Sequence, residues 1–332
     1  MADKPTRDGF GEGLLELGKT HPQVVALSGD LEDSTRAIWF KKEYPERFFS
    51  VGIAEQDMIG AAAGLAMAGK IPFACSFSQF VTGKTLEQLR MAVCYQRLSV
   101  KVVGSHGGLS VGADGATAEA LEEFAHMRSL PGMTVIVPCD PVEAKKATLA
   151  SADYPGPVFL RLGRAPVPTI TRETDPYQIG QAIVMRPGDD VTIIACGLMV
   201  AHALQAAEQL ATEEIAARVI NLHTIKPLDR ATVLAAAKET GAIVTAEEHS
   251  VVGGLGSAVA EALVPGVDVE PPLNELEARR HRLHHLAAKA GLVQRGHALL
   301  AVEEDLHDSG RQRPVAAVAE QTQGAAHWGS WA

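Results

Sequence analysis

The sequence lacks the features that mark several common functions. Lys and Arg number 30 against 40 Asp and Glu, the formal net charge is −10, and no basic run stands out. Nucleic-acid and anionic-membrane surfaces depend on clustered positive charge, so we expect neither kind of partner. The apolar segments are short and broken by glycine, which excludes membrane-spanning helices from the prediction. Small molecules and other proteins are the expected partners.

Cysteine is also scarce, and its distribution predicts no metal site. The four cysteines are far apart and lie in apolar stretches: Cys75, Cys94, Cys139 and Cys196. This spacing is not that of a metal site, and buried free thiols are expected instead. The N-terminal residues are polar and lack the basic and apolar regions of a signal peptide, so we expect a cytoplasmic protein.

Short β-rich apolar runs alternate with segments of helical periodicity along most of the chain. This alternation predicts an α/β fold, with a parallel sheet covered by helices and a second, smaller α/β domain. In the first domain, strands are predicted at 24–28, 48–51, 71–75, 100–103, 134–137 and 158–160, and helices at 33–42, 54–68, 85–95, 119–130 and 141–152. In the second, strands are predicted at 191–195, 217–221 and 242–246, and helices at 199–211, 229–239 and 256–263.

Proline marks the boundary between the two domains. Residues 163–177 hold three prolines and little apolar periodicity, as is typical of a crossover. We expect domains at 5–165 and 179–265, a linker at 166–178, and an atypical, partly disordered tail at 266–332. The tail carries six of the twelve histidines. A metal site at His281, His284 and His285 and simple compositional drift are the two interpretations, of which we favour drift.

The stretch SVGIAEQDMIGAAAGLAMA, residues 50–68, is the most informative in the chain. It predicts a strand end, a glycine and then a helix that begins near Glu55. A carboxylate in a first turn can simply complement the helix dipole. The small residues from Ala61 to Gly64, however, would let another backbone pack closely, which suits an interface. The whole stretch resembles the pyrimidine-binding domain of transketolases and deoxyxylulose-phosphate synthases.

In those families the corresponding glutamate is catalytic, and the resemblance implies this role for Glu55. It would hydrogen-bond N1′ of the aminopyrimidine of thiamine diphosphate and favour the tautomer that removes the proton from thiazolium C2. The resulting carbanion is the nucleophile. A carboxyl group with this task needs a dry pocket in which it shares a proton with a ring nitrogen.

Two aromatic residues follow in the run SFSQF. The resemblance implies that Phe77 and Phe80 stack on the aminopyrimidine, and packing in the core is the alternative. Gly83 and Lys84 follow where full-length transketolases have a tyrosine, so the run is more similar to the two-chain members of the family.

The glycine-rich loop 104–119 follows a predicted strand, where backbone can approach a ligand. The resemblance implies that His106 lies near the reacting carbons or the distal end of the donor and that Asp114 binds a substrate hydroxyl. Ala118 stands where the family has a substrate-binding histidine, so a sugar and a sugar phosphate are both open as substrates. Arg164 resembles the phosphate-binding arginine of the family and Arg161 is a second candidate, with interface salt bridges as the alternative.

The rest of the resemblance concerns architecture and partners. The runs VTIIACG, VINLHTIKPLD and TAEEHSVVGGLGSAVAEAL are similar to the transketolase C-terminal domain, up to about Leu263. Asp229 and His249 within them are interpreted as structural or interface residues. The diphosphate motif of the family, G-D-G with a downstream asparagine, is absent from the sequence. The resemblance therefore implies a large partner subunit that binds Mg²⁺ and the diphosphate, thiamine diphosphate shared between the chains, and an α2β2 heterotetramer.

Three functions are compatible with these observations. The leading one is transfer of a two-carbon ketol, or a related acyl unit, between a ketose donor and an aldehyde acceptor by a split transketolase of which this chain is the small subunit. The beta subunit of a 2-oxoacid dehydrogenase has the same two domains. Such subunits, however, usually have the sequence I-S-E where this chain has I-A-E, and they lack the GADGAT loop found here. A catalytically altered assembly subunit that kept the fold is the third.

Overall fold

Parallel strands and covering helices build the N-terminal domain. The computed structural model describes residues 3–263, 298–305 and 313–319. The strands of this domain are β1 (Val24–Ser28), β2 (Phe48–Ser50), β3 (Ile71–Phe77), β4 (Lys101–Ser105), β5 (Thr134–Ile136) and β6 (Val158–Arg161). The helices are α1 (Thr6–Thr20), α2 (Ile38–Glu43), α3 (Glu55–Met67), α4 (Ser78–Gly83), α5 (Leu86–Gln88), α6 (Glu123–Ser129) and α7 (Pro141–Asp153).

The C-terminal domain repeats the alternation on a smaller scale. Its strands are β7 (Ile183–Arg186), β8 (Val191–Ala195), β9 (Ala217–Asn221), β10 (Thr224–Lys226), β11 (Ala242–Glu247), β12 (Ala298–Asp305) and β13 (Arg313–Ala319). Its helices are α8 (Met199–Ala211), α9 (Arg230–Thr240) and α10 (Leu255–Leu263). No helix within residues 3–263 is long and apolar enough to cross a bilayer.

The first sheet has the order β10-β5-β6-β4-β3-β1-β2, and all its pairs are parallel except β10 with β5. Every residue of β1, β4 and β6 is buried, as expected for strands covered on both faces. The edge strand β10 belongs to the C-terminal domain, so the first sheet contains strands from both domains and links them. The second sheet has the order β13-β12-β11-β8-β9-β7. The predicted α/β fold with two sheets is confirmed.

Helix α1 was not predicted from the sequence. It contains four glycines, which lower the intrinsic helix propensity and hide its periodicity. The glycines permit close packing instead: a Cβ on Gly9 would lie 1.9 Å from the carbonyl oxygen of Pro141, at the start of α7. Tertiary contact with α7 therefore stabilises a helix that local propensity does not favour.

Other predicted elements differ in length or were missed. The predicted helix at 33–42 is limited to α2, and the one at 85–95 consists of the short α5 and a π-helical turn at Leu89–Cys94. Strands β7 and β10 were missed because each is short and lies at the edge of a sheet. The four cysteines are free and buried, as predicted.

The region expected to be an atypical tail contributes two strands. β12 pairs antiparallel with β11, and β13 pairs antiparallel with β12. Both strands fall inside 266–332, so part of this segment extends the second sheet. His281, His284 and His285 lie outside the described residues.

Asp140 fixes the linker to the first domain. It begins α7 as its N-cap, where its Oδ1 accepts a hydrogen bond of 2.8 Å from the backbone N–H of Glu143. Its Oδ2 accepts backbone N–H bonds from Ile170 at 2.8 Å and Thr171 at 2.6 Å. One buried carboxylate thus holds the chain as it leaves the first domain, which limits how the second domain can be placed.

Candidate active site

Glu55 is the first residue of α3, and its side chain points into a buried site at the ends of β1 and β3. The residue is 3% exposed. Its Oε1 accepts a hydrogen bond of 3.1 Å from the Ser76 hydroxyl, and its Oε2 accepts one of 3.3 Å from the Lys84 ammonium. Gly29 lies alongside, where an added Cβ would contact the Glu55 side chain at 3.6 Å. The carboxylate is therefore dry, oriented by a hydroxyl and closely surrounded.

Three rings are stacked beside this carboxylate. Phe77 ends β3 and Phe80 lies in α4, with ring centroids 5.7 Å apart and an interplanar angle of 23°. Phe77 also stacks against His106, with ring centroids 3.9 Å apart and an interplanar angle of 23°. The Lys84 ammonium lies 4.5 Å from the centroid of Phe80, within the range of a cation–π contact. The structure thus brings together Glu55, Phe77, Phe80 and His106, four of the residues singled out in the sequence.

His106 is a neutral histidine in a strained backbone position. Its φ is 58°, in the left-handed region that non-glycine residues rarely adopt, and it is 2% exposed. Arg7 Nη1 lies 3.2 Å from Nε2, and Ser105 Oγ lies 2.9 Å from Nδ1. A guanidinium can only donate, so Nε2 accepts and the ring proton is assigned to Nδ1. Burial first, and then the nearby arginines Arg7 and Arg164, lower the pKa of His106 to about 3.

Arg7 was not a candidate in the sequence, yet it contacts His106 directly. Its Nη1 donates to the carbonyl oxygen of Ser34 at 2.9 Å as well as to His106, and its Nε is buried without a hydrogen-bond partner in the described structure. Burial and the positive charges of Arg36 and Arg164 lower the pKa of the Arg7 guanidinium. Asp8 and Asp33 oppose this shift, and Arg36 Nε donates to Asp8 at 2.7 Å, so carboxylates compensate part of the positive charge on this arginine-rich side of the site.

Arg164 and Asp114 lie close to each other on this side of the site. Arg164 Nη1 donates to the carbonyl oxygen of Val111 at 2.6 Å, and its Nε lies 3.9 Å from Asp114 Oδ2. Both side chains are about one third exposed and can reach a ligand. Ala118 is buried in an apolar cluster with Phe77 and Val111. A longer side chain at position 118 would have to displace these neighbours.

Arg161 is placed differently from the other candidates. It is 3% exposed, its Nε donates to Glu123 at 3.2 Å and its Nη2 to Glu248 at 3.0 Å. Burial would lower the pKa of Arg161, but Glu248 and Glu123 outweigh burial and raise it. Glu248 Oε1 also accepts the Ser110 backbone N–H at 2.6 Å. Arg161 therefore positions the loop that bears Asp114, and its guanidinium is already occupied by two carboxylates.

Gly108 shows how closely the second domain approaches this loop. Its φ is 85°, and a Cβ there would lie 2.2 Å from the Glu248 carboxyl group and 2.3 Å from Arg161 Nη2. A side chain would be both strained and obstructed, so only glycine suits this position. The glycine-rich composition of loop 104–119 thus has a packing cause here.

Asp229 and His249 have structural contacts. Asp229 is the N-cap of α9 and accepts the backbone N–H of Thr232 at 3.1 Å. His249 Nε2 accepts the Phe124 backbone N–H at 3.0 Å, and Nδ1 lies 2.7 Å from the Ser250 carbonyl oxygen. Burial lowers the pKa of His249 to about 4. In the part of the chain that is described, no group of three or more His, Cys, Asp or Glu side chains could hold a metal ion.

Comparison with known proteins identifies the family of this chain. The model named "Transketolase, pyrimidine binding domain" matches residues 3–169, and that named "Transketolase, C-terminal domain" matches 180–289. The second match runs beyond Leu263, where the sequence resemblance was expected to end. The chain belongs to the transketolase family and carries its pyrimidine-binding and C-terminal domains, as the resemblance implied.

Curated relatives and a solved structure share this two-domain organisation. A 6-deoxy-6-sulfo-D-fructose transketolase subunit of a Clostridium species is 44% identical over 273 residues, 82% of this chain and 84% of the relative. An apulose-4-phosphate transketolase subunit of Phocaeicola vulgatus is 42% identical over 258 residues, 77% of this chain and 83% of the relative. The solved structure described as "Split gene transketolase, inactive beta4 tetramer" has a TM-score of 0.76 at 41% identity and covers 87% of this chain and 97% of that one. The chain thus corresponds to the small subunit of a split transketolase-like enzyme.

Proposed function

We propose that this subunit supplies Glu55 to thiamine diphosphate held between it and a larger, diphosphate-binding subunit, and that the assembly transfers a two-carbon ketol unit from a ketose to an aldehyde. The observation that carries the proposal is the Glu55 site itself. It combines a 3% exposed carboxylate with an adjoining aromatic wall of Phe77 and Phe80.

The residues present fit the pyrimidine end of the cofactor. When bound, thiamine diphosphate supplies the electron sink that allows a carbon–carbon bond beside a carbonyl group to break and form. Ser76 holds Oε1 of Glu55, which leaves Oε2 to share a proton with a ring nitrogen once Lys84 has moved. Phe80 offers an aromatic face beside that oxygen. The diphosphate and Mg²⁺ require oxygen ligands that we assign to the large subunit.

The substrate we propose carries an anionic group. Arg7 contacts His106, Arg164 and Arg36 also act on the pKa of His106, and Arg36 is paired with Asp8 at 2.7 Å. Arg7 Nε is buried without a partner in the described residues. Guanidinium groups recognise phosphate and sulfonate through paired hydrogen bonds. The names of the two relatives, a sulfo-fructose and an apulose-4-phosphate transketolase subunit, refer to sugars with such groups. Asp114 would accept a hydrogen bond from a substrate hydroxyl, and His106 would lie near the reacting carbons or the distal end of the donor.

The larger assembly is also part of the proposal. The solved neighbour is described as an inactive β4 tetramer of a split-gene transketolase. This description supports a requirement for the other subunit in catalysis, and we propose an α2β2 heterotetramer as the active form. The relatives' names favour transketolase chemistry over that of a 2-oxoacid dehydrogenase.

A Glu55→Gln variant tests the catalytic assignment. Reconstituted with the large subunit, it should lose at least about 100-fold in ketol transfer, since the amide cannot share the proton. Glu43→Gln, at the exposed end of α2, is the matched control and should retain full activity. Undiminished turnover by Glu55→Gln, with normal assembly, would refute the assignment.

A further inference from the structure

Lys84 lies in the space beside Glu55 that a ligand would enter. It follows α4 directly, its side chain is 50% exposed, and its ammonium contacts two groups at once. One is Glu55 Oε2, at 3.3 Å, and the other is the ring of Phe80, whose centroid is 4.5 Å away. The Gln56 side chain donates to the Lys84 carbonyl oxygen at 2.9 Å and so fixes the backbone from which the ammonium reaches inward.

These two contacts are the ones that an aminopyrimidine ring would make under the proposed function. A protonated ring nitrogen donates to a carboxylate as an ammonium does, and both a cation and an aromatic ring can lie against the face of a phenylalanine. Since Ser76 already occupies Oε1, the oxygen available to a ligand is the one bound by Lys84. The lysine and the ring therefore compete for one place.

We propose that Lys84 is an internal placeholder for the pyrimidine ring, pairing with Glu55 and Phe80 in the free subunit and leaving when the cofactor binds. This rests on the proposed function. A buried carboxylate without a counter-ion is unfavourable, so the lysine stabilises the empty site. Because the ammonium is half exposed, it can return to water with little loss.

A different role would leave Lys84 on Glu55 throughout the reaction, as a permanent positioning residue. The two roles predict opposite effects on cofactor affinity. If Lys84 is a placeholder, its removal eliminates a competitor that stabilises the empty site, and cofactor binding tightens. If it positions Glu55 in the loaded enzyme, its removal weakens binding.

Equilibrium binding of thiamine diphosphate with Mg²⁺ to the complex with the large subunit distinguishes these roles. We expect Lys84→Met to lower the Kd about three- to tenfold, as the loss of a partly exposed ion pair would allow. Lys84→Arg, which can keep the pair, should bind more weakly than Lys84→Met and close to the wild-type complex. The control is Lys42→Met, an exposed lysine in α2, whose Kd should equal that of the wild-type complex.

A second measurement does not involve the cofactor. In the isolated chain, Lys84→Met should lower the melting temperature, and adding Glu55→Gln should restore it because the uncompensated charge is gone. Unchanged or weaker binding by Lys84→Met, with normal binding by the wild-type complex, would overturn the placeholder alone. Absence of cofactor binding by the wild-type complex would overturn the proposed function and the placeholder with it.

Discussion

Buried carboxylates meet a cation in two different parts of the molecule. In the first domain Glu55 pairs with Lys84, whose side chain is 50% exposed. Between the domains Glu123 and Glu248 pair with Arg161, which is 3% exposed. The carboxylates are equally buried in the two places, and the cations are not.

Under the proposed function, this difference separates a site that receives a ligand from one that holds the fold together. The ammonium of Lys84 can leave for water, so its carboxylate can exchange partners. The guanidinium of Arg161 has no such route, and its two carboxylates depend on it permanently. Exposure of the cation, rather than burial of the acid, indicates which pair can take part in binding.

The largest effect expected from this comparison is on stability. Arg161→Met should lower the free energy of unfolding by about 3–5 kcal/mol, because it leaves two carboxylates buried without a partner. Lys84→Met should lower it by about 1 kcal/mol or less, as for a partly exposed ion pair. Urea unfolding of the isolated chain at neutral pH measures both changes.

The ratio of these two effects is the informative quantity. Adding Glu123→Gln and Glu248→Gln to Arg161→Met should recover part of the loss, since amides are less unfavourable than charges in a dry site. Equal losses for Arg161→Met and Lys84→Met would contradict the distinction between a structural and an exchangeable pair.

Glu55 was singled out from the sequence, but its pair with Lys84 and the pairs of Arg161 were not predicted. The motif VGIAEQ and the run SFSQF identify Glu55, Phe77 and Phe80 because these residues lie within 26 positions of one another and carry a family pattern. Arg161 was a second substrate-binding candidate because it lies close to Arg164 in the run FLRLGR. Its partner Glu248 is 87 residues away in another domain, and no local pattern predicts that contact.

The missed features share this dependence on distant contacts. Arg7 meets His106 across 99 positions, and it lies in a helix whose glycines hide it from propensity and periodicity. In contrast, the sequence located two strands of the C-terminal domain with the correct first and last residues. These are β8 at 191–195 and β9 at 217–221. Buried parallel strands are continuous apolar runs, so their local sequence contains the necessary information.

A second prediction concerns the arginine-rich side of the site. With an anionic ketose donor, Arg7→Met should raise KM about 10- to 100-fold with a smaller change in kcat, as expected for loss of a charge-assisted hydrogen bond. Steady-state kinetics of the complex with the large subunit measure the effect. An uncharged ketose of the same length is the control, because its KM should change much less.

Loss of activity with both donors would mean that Arg7 does not itself bind the anionic group. It would then act through His106, which its guanidinium contacts at 3.2 Å, and the anion would be bound by Arg164 or Arg36. An unchanged KM for the anionic donor would contradict an anion site at Arg7.

The smallest predicted effect is on the pH dependence of the free energy of unfolding. It concerns His106, the neutral histidine of the candidate active site. The pKa of His106 is lowered from 6.5 to about 3, so the unfolded chain binds a proton between these values and the folded chain does not. The stability due to neutral His106 is therefore complete above pH 6.5 and is lost as the pH falls below it. At pH 5.5 the loss from this residue should be about 1 kcal/mol relative to pH 8.

His106→Asn should remove this component and make the unfolding free energy less sensitive to acid. The comparison of pH 8 with pH 5.5 is made within each protein, so any fixed cost of the substitution cancels. His249, in the interdomain region, has a pKa lowered to about 4 and should retain its own acid sensitivity in the variant. Identical pH dependence in wild type and His106→Asn would mean that His106 gains its proton in the folded chain, through movement of Arg7 away from Nε2. Such movement would give the first site a second exchangeable cation besides Lys84, while the interdomain pair would still have none.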